Sequence, residues 1–198
     1  GEIEKAHAGG LTAIHGNAHD DQVLTRADLE GRRSLLTITT NEEVNLLLAR
    51  KAREEHRVPN AYVALFRGKP GAGVEQVRAS GALLLFGRPV ELHHWIRTLE
   101  SGRATLEDWR YNGDQPVTFG SLGGQEEKEE AAAEDEGIIA LTFKRAGSVR
   151  PTDDQARVSR GDVVTFACAG PAGRAEIERL RRSGWEPLDN RSPNASRA

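Results

Sequence analysis

Between residues 11 and 65 the sequence alternates short apolar runs with helix-forming runs, and this alternation constrains the fold more than any other feature. The runs LTAIHG, SLLTITT and AYVALF predict strands over residues 11–16, 34–40 and 61–66. A short helix over residues 23–31 and a longer helix after Thr40 separate them. Strands that alternate with helices of this length pair in parallel, with helices on both faces of the sheet. We therefore expect an α/β fold built on a partial, doubly wound parallel sheet.

The longer helix has signals at both of its ends. Two pairs have the spacing of a capping box at its start, Thr40 with Glu43 and Thr39 with Glu42. Pro59 follows the far end, where a helix cannot continue. The spacing of its apolar residues predicts one buried face, consisting of Val44, Leu47, Leu48 and Ala52.

Shifts of composition along the chain predict five segments. They are a nucleotide-binding lobe over residues 1–68, an α/β extension over 69–120, an acidic linker over 121–136, a second lobe over 137–189 and a disordered tail over 190–198. The stretch QEEKEEAAAEDE contains seven acids and one lysine, which is typical of a solvated linker or an exposed helix. The second lobe has the pattern of two or three strands followed by a helix. We expect a small α+β C-terminal lobe after the parallel sheet.

Composition argues against several classes of partner and compartment. The 27 basic and 30 acidic residues leave a net charge of −3, so nucleic acid is not an expected partner. The longest apolar run, ALLLF, is far shorter than the roughly 20 residues that span a bilayer. The single cysteine, Cys168, cannot form an internal disulfide. We expect this fragment to be water-soluble and cytoplasmic.

Two segments that directly follow predicted strands are candidates for a ligand site, because ligands of doubly wound sheets lie beyond the carboxyl ends of the strands. The first contains Gly16, Asn17, Ala18 and His19. Its glycine lets a ligand approach the backbone, and the amide of Asn17 can both donate to and accept from an adenine or a ribose. Such a glycine also forms turns where no ligand binds.

The second candidate segment contains Thr39, Thr40 and Asn41. Its hydroxyl and amide groups lie at a predicted helix start, where free backbone N–H groups suit an anion or ribose hydroxyls. The same residue types cap helices without any ligand, so the pattern alone leaves both interpretations open.

Catalytic and metal-binding patterns are weak in this sequence. His15 and His19 stand four residues apart beside Asp20 and Asp21, but Gly16 would break a helix that aligned the two imidazoles. The sequence contains no convincing order of nucleophile, base and acid. We expect no catalytic residues, no metal site and no enzymatic activity.

The segment GLTAIHGNAHDDQVL, followed by LLTITTNEEVNLLLARKAREEHRVPNAYV, resembles the RCK/KTN (TrkA-N) domain of bacterial cation transporters. The family's usual Gly-Asp-Ala/Ser is present as Gly16-Asn17-Ala18, and its Thr-Asn-Glu/Asp-x-x-Asn segment ends at Asn45. The downstream LFGRPVELHHWIRTLESG is similar to the cytoplasmic tail of sodium/proton antiporters. Residues 144–167 resemble a TrkA-C lobe.

The resemblance implies a Rossmann-like regulatory region of a bacterial sodium/proton (monovalent cation:proton) antiporter. Such a region would lie at the cytoplasmic face of the inner membrane, contact the transmembrane antiporter domain of the same parent protein, and form a homodimer. It would sense an ion or an adenine nucleotide, namely AMP, ADP, ATP or NAD/NADH. The first part of the Rossmann unit, with its glycine-rich turn, would precede Gly1 and is missing from this sequence. An upstream segment or a partner chain is expected to supply it.

Two other functions stay open on the sequence. A truncated NAD-dependent oxidoreductase is motivated by the α/β order of the elements. An assembly scaffold with no ligand is motivated by the missing glycine-rich turn and by Asn17, which replaces the Asp common in the family and so exchanges a charged acceptor for a neutral amide.

Overall fold

The computed structural model describes residues 2–67, 71–119 and 137–188 of the chain. The predicted acidic linker over 121–136 and the tail over 190–198 therefore lie outside the described residues. The chain divides into two compact units. The first comprises Gly1–Ala64 and Gly71–Leu83, and the second comprises Leu65–Pro70 and Leu84–Ala198.

The first unit contains the helices α1 (Glu2–Ala8), α2 (Asp21–Arg26), α3 (Glu42–Glu54) and α4 (Val74–Ala79), a 3-10 helix (Leu29–Gly31), and the strands β1 (Ser34–Thr37) and β2 (Asn60–Val63). The strand β3 (Leu83–Leu84) begins at Leu83, the last residue of the first unit. These strands form a three-stranded sheet in the order β1-β2-β3. β1 and β2 pair in parallel, with Ser34 opposite Asn60 and Thr37 opposite Val63. The predicted α/β class with a partial parallel sheet is confirmed.

Helix α3 packs on this sheet through a face that differs in part from the predicted one. The buried residues of α3 are Glu42, Asn45, Leu48, Ala49 and Ala52. Leu47, which was expected on the buried face, is 50% exposed. The buried face therefore includes two polar residues that an apolar period cannot identify.

Three predicted elements of this unit are shorter than expected. The predicted helix over residues 23–31 is instead α2 and the separate 3-10 helix, because Asp28 between them adopts a left-handed φ of 52°. The predicted strand over 34–40 ends at Thr37, and the strand over 61–66 ends at Val63.

The predicted strand over residues 11–16 is wrong, because this segment has no regular secondary structure. Leu11 is 66% exposed. A strand is stabilised by the ladder of hydrogen bonds to a neighbour, and the sheet β1-β2-β3 contains no pairing with this segment. The apolar pattern alone is therefore not sufficient to form the strand.

The second unit contains the helices α5 (Leu92–Glu100) and α6 (Gly170–Arg182) and the strands β4 (Ala104–Tyr111), β5 (Val117–Thr118), β6 (Ile138–Arg145), β7 (Ser148–Pro151), β8 (Arg157–Val158), β9 (Val163–Ala169) and β10 (Trp185–Pro187). Five of these strands form an antiparallel sheet in the order β10-β4-β9-β6-β7. The small β5-β8 pair is separate. The predicted α+β lobe is confirmed in class, but the sequence pattern missed β4 and β10.

Apolar residues cover both faces of this antiparallel sheet. On one face Trp109, Phe166 and Trp185 belong to a cluster that includes Leu180 of α6. On the other face Ala104 and Ala167 belong to a second cluster with Trp95 of α5. Alternate residues of each strand therefore point to two separate apolar layers, as the pleat of a sheet requires.

No helix among the residues that the structure describes is both long enough and apolar enough to cross a membrane.

Candidate functional site

The turn of residues 39–41 connects the carboxyl end of β1 to the start of α3. Asn41 is the N-cap of this helix, because its Oδ1 accepts hydrogen bonds from the backbone N–H groups of Glu43 at 3.0 Å and Val44 at 3.1 Å. These bonds satisfy two of the N–H groups that a helix start leaves without an intrahelical partner. The predicted capping boxes of Thr39 and Thr40 are therefore wrong, and Asn41 caps the helix.

Thr39 and Thr40 differ in what their hydroxyl groups contact. The hydroxyl of Thr39 donates a hydrogen bond to Oδ1 of Asn45 at 2.7 Å. Thr40 is exposed, and within the described part of the chain its hydroxyl has no hydrogen-bond partner. The turn therefore keeps one hydroxyl engaged inside the protein and leaves the other available to solvent or to a ligand.

The segment of Gly16, Asn17, Ala18 and His19 forms a turn that leads into α2. Oδ1 of Asn17 accepts a hydrogen bond from the backbone N–H of His19 at 3.0 Å, and the Asn17 carbonyl accepts one from Asp20 at 2.9 Å. Gly16 lies against Val23, since a Cβ at Gly16 would stand 2.5 Å from Cγ2 of that valine. Asn17 is thus a turn-forming residue whose amide nitrogen has no hydrogen-bond partner among the described residues and can donate to a ligand.

An ion pair joins this turn to α3. Nζ of Lys51 on α3 contacts the carboxylate of Asp21, the first residue of α2, and lies 3.5 Å from the carbonyl oxygen of His19. The hydrogen bond between them lowers the pKa of Asp21 and raises the pKa of Lys51. Sequence analysis did not identify Lys51 in this role, since its partner is 30 residues away in the chain.

Both predicted segments contribute to the wall of one cavity of about 260 Å³. Ala18 from the first segment and Thr39 from the second line it, together with Thr37, Ile38 and the leucines 24, 29, 35, 36 and 48. The lining is therefore mostly apolar, with Thr37 and Thr39 as its polar residues. A cleft of this kind suits a flat, largely apolar group that has hydrogen-bonding atoms at its edge, such as a nucleobase.

The described residues contain no group of three or more His, Cys, Asp or Glu side chains that could hold a metal ion. The buried thiol of Cys168 has its pKa raised to about 12, mainly by burial and further by the charge of Glu107. It stays protonated at neutral pH and is a poor nucleophile. Neither observation adds a catalytic group to the predicted site.

The structure thus brings Ala18 and Thr39 to one cavity, and it orients the remaining predicted residues on the two turns beside them. No ligand contact tests Gly16, Asn17, Ala18, His19, Thr39, Thr40 or Asn41, so their role in binding stays a prediction. Sequence reasoning named Asn45 only as the last residue of the family's motif and gave it no role in the site, although it is buried on α3. The signal that could have identified it was a polar residue on the helical face that the apolar residues Leu48 and Ala52 define.

A parallel sheet with a polar turn at the carboxyl end of a strand and an apolar cleft beside it is an arrangement typical of nucleotide-binding α/β domains. Residues 1–69 match the family model described as the TrkA-N domain. The TrkA-N part of the resemblance that was predicted from sequence is confirmed over these residues. No curated protein matches the chain.

The chain is similar to several solved structures. One of them is the crystal structure of the GsuK RCK domain, at 13% identity and a TM-score of 0.33. Another is the GsuK channel bound to NAD, at 13% identity and a TM-score of 0.31. The aligned region covers 86% of this chain in both comparisons. The chain spans 38% of the first of these structures and 31% of the second.

Proposed function

We propose that this chain is a non-catalytic regulatory region of an ion-transport protein, and that its first unit binds an adenine nucleotide. The match of residues 1–69 to the TrkA-N domain is the observation on which this proposal rests. TrkA-N domains typically regulate ion transport. The bound nucleotide would shift the equilibrium between two states of the transporter, which requires that it binds one state more tightly than the other.

The geometry of the first unit supports a nucleotide as the ligand. The apolar cavity lined by Ala18 and Thr39 would take the base, and the exposed hydroxyl of Thr40 would meet a ribose or phosphate oxygen. The amide nitrogen of Asn17, which has no partner among the described residues, adds a donor on the turn beside Ala18. AMP, ADP, ATP, NAD and NADH share the adenosine part that these groups would contact.

We extend the proposal to the parent protein. The transporter would be a sodium/proton antiporter, with this region at the cytoplasmic face of the inner membrane as a homodimer. The antiporter-like segment LFGRPVELHHWIRTLESG supports this assignment. Deleting the region from the parent transporter should change the dependence of transport on ions, pH or nucleotide, and an unchanged dependence would contradict the antiporter assignment.

Calorimetric titration of the chain with AMP, ADP, ATP, NAD and NADH tests nucleotide binding directly. We expect saturable binding of at least one of them, weakened by Asn17→Ala and by Thr40→Ala. Thr25→Ala is the matched control, since Thr25 is also an exposed threonine of the first unit but lies on α2, outside both predicted turns. The absence of binding by the unaltered chain, or equal weakening by Thr25→Ala, would refute the proposed site.

An assembly scaffold without a ligand is the second candidate function. It is favoured by the internal use of three predicted ligand atoms, since Oδ1 of Asn17, the hydroxyl of Thr39 and Oδ1 of Asn41 all bond within the protein. The same titration separates the two functions. A scaffold predicts no binding of any of the five nucleotides, together with loss of transporter assembly when the region is deleted.

A further inference from the structure

Asn45 is a fully buried polar residue that bonds to the turn of residues 39–41. Its side chain lies on the inner face of α3 and is 0% exposed. Burying a primary amide costs free energy unless its donors and acceptors are all paired. The partners of Asn45 therefore determine why the residue is tolerated there.

The side-chain amide of Asn45 uses its full hydrogen-bonding capacity. Oδ1 accepts from the backbone N–H of Thr39 at 2.8 Å and from the Thr39 hydroxyl at 2.7 Å. Nδ2 donates to the carbonyl oxygen of Thr39 at 3.0 Å and to that of Ala64 at 3.2 Å. An amide offers two lone pairs and two N–H groups, so all four are engaged.

These four bonds fix the conformation of the turn after β1. Three of them hold the backbone N–H, the carbonyl and the hydroxyl of Thr39, and the fourth holds Ala64, the residue directly after β2. A single side chain thereby ties together the segments that follow two adjacent parallel strands. With Thr39 held in this way, its hydroxyl faces Asn45, and Thr40 is the next residue along the turn with an available hydroxyl.

We propose that Asn45 is a positioning residue for nucleotide binding, which holds residues 39–41 in the conformation that presents Thr40 to the ligand. The inference rests on the proposed function, since it assigns Thr40 rather than Thr39 as the hydroxyl that contacts the nucleotide. A pre-organised turn binds more tightly because less conformational freedom is lost on binding. Asn45 acts through the turn and does not itself touch the ligand.

The test compares Asn45→Leu with the control Asn60→Leu by calorimetry, at a temperature where both variants are folded. Leucine has the branched shape of asparagine and removes all four bonds. Asn60 is the first residue of β2 and its Nδ2 donates to the carbonyl of Arg33 at 3.1 Å, so Asn60→Leu makes the same substitution and removes a side-chain hydrogen bond between the same two strands, at the end opposite the turn and outside the cavity. Thr39→Val is a milder second variant, at an exposed position, in case Asn45→Leu does not fold.

We expect Asn45→Leu to weaken the nucleotide affinity by about tenfold or more, and Thr39→Val to weaken it less. Thr39→Ser, which keeps the hydroxyl, should bind more tightly than Thr39→Val. Asn60→Leu should retain the original affinity, even where it lowers stability. Unchanged affinity in folded Asn45→Leu and Thr39→Val, or equal loss in Asn60→Leu, would overturn the positioning role.

Hydrogen exchange of the backbone amides of Thr39 and Asn41 in the ligand-free protein separates this inference from the proposed function. Asn45→Leu should accelerate exchange at these two amides relative to Asn60→Leu. If the unaltered chain binds no nucleotide, the proposed function fails; faster exchange would still support the role of Asn45 in holding the turn. Unchanged exchange at both amides would overturn that role as well.

Discussion

Asp162 lies in an environment that favours its ionised form despite burial. Its carboxylate accepts hydrogen bonds from Nε of Arg145 at 3.0 Å, from Nη2 of Arg145 at 2.6 Å and from the backbone N–H of Ser159 at 2.7 Å. Burial acts to raise the pKa of Asp162, but the bonds from Arg145 and Ser159 outweigh it and lower the pKa below its ordinary value of 3.8. The ion pair fixes the turn that precedes β9.

Asp162→Asn should lower the free energy of unfolding by about 1–3 kcal/mol near neutral pH, because it leaves the Arg145 guanidinium without its charged partner. A carboxyl whose pKa is depressed in the folded state contributes stability above its unfolded pKa and loses it as the pH falls through the folded pKa. The difference in the free energy of unfolding between the variant and the unaltered protein should therefore reach its largest value above about pH 4 and become smaller in stronger acid. Urea unfolding measured between pH 3 and pH 7 checks this.

Asp114→Asn serves as the control for this experiment. Asp114 pairs with Arg160 at 3.2 Å, but both side chains are largely exposed, so its removal should change stability by less than about 1 kcal/mol. A loss for Asp162→Asn that is no larger than that for Asp114→Asn, or one that stays constant down to pH 3, would contradict the prediction.

At the scale of residues, sequence reasoning located the start of α3 but assigned its cap to the wrong residue, and it missed partners that are distant in the sequence. Asn41 was expected at this helix start, but the capping boxes were predicted for Thr39 and Thr40, whereas Asn41 makes the capping bonds. The role of Asn45 depends on the Ala64 carbonyl, 19 residues away, and that of Lys51 depends on Asp21, 30 residues away. Such pairings follow from how the strands and helices are arranged, which no local spacing contains.

At the scale of elements, the start of α6 approaches the start of β6 so closely that neither backbone has room for a side chain. A Cβ on Gly173 of α6 would stand within 2.4 Å of the carbonyl oxygen of Gly137. Gly173→Ala should therefore force the helix away from the sheet and lower the free energy of unfolding by at least about 2 kcal/mol. Thermal or urea unfolding measures the loss.

Gly73→Ala is the matched control, because no atom lies within 4 Å of the position of its Cβ and its φ is −87°. We expect this control to change stability by less than about 0.5 kcal/mol. Equal stability of Gly173→Ala and Gly73→Ala would show that α6 can shift without cost, and would refute the close-packing argument.

The elements that were mispredicted show what local pattern leaves out. Residues 11–16 have the composition of a buried strand but form none, because the described sheet provides no neighbour to pair with them. The segment ATLEDWRY has a mixed composition yet forms β4, because it pairs with β9 along seven residue positions. The helix α3 was predicted from its start and stop signals because the hydrogen bonds of a helix are local. Strand formation instead depends on partners that are distant in the sequence.

At the scale of the whole molecule, β1 presents a sheet edge that is suited to pairing with another chain. β1 is the outer strand of its sheet, with β2 on one side and no strand of the described residues on the other. Leu36 on β1 is 43% exposed, next to the apolar cavity. The outer strand β7 of the second sheet contains Arg150 and ends at Pro151, both of which discourage edge pairing.

We therefore expect the chain to self-associate through β1, and Leu36→Lys to weaken this association by about tenfold, since a charge on an edge strand opposes pairing. Ile96→Lys is the control, because Ile96 is 44% exposed but lies on the helix α5, which has no free edge. Sedimentation velocity over a range of concentrations measures both variants against the unaltered chain. Equal weakening by the two substitutions would indicate association driven by general surface hydrophobicity, and association unaffected by Leu36→Lys would place the contact away from β1.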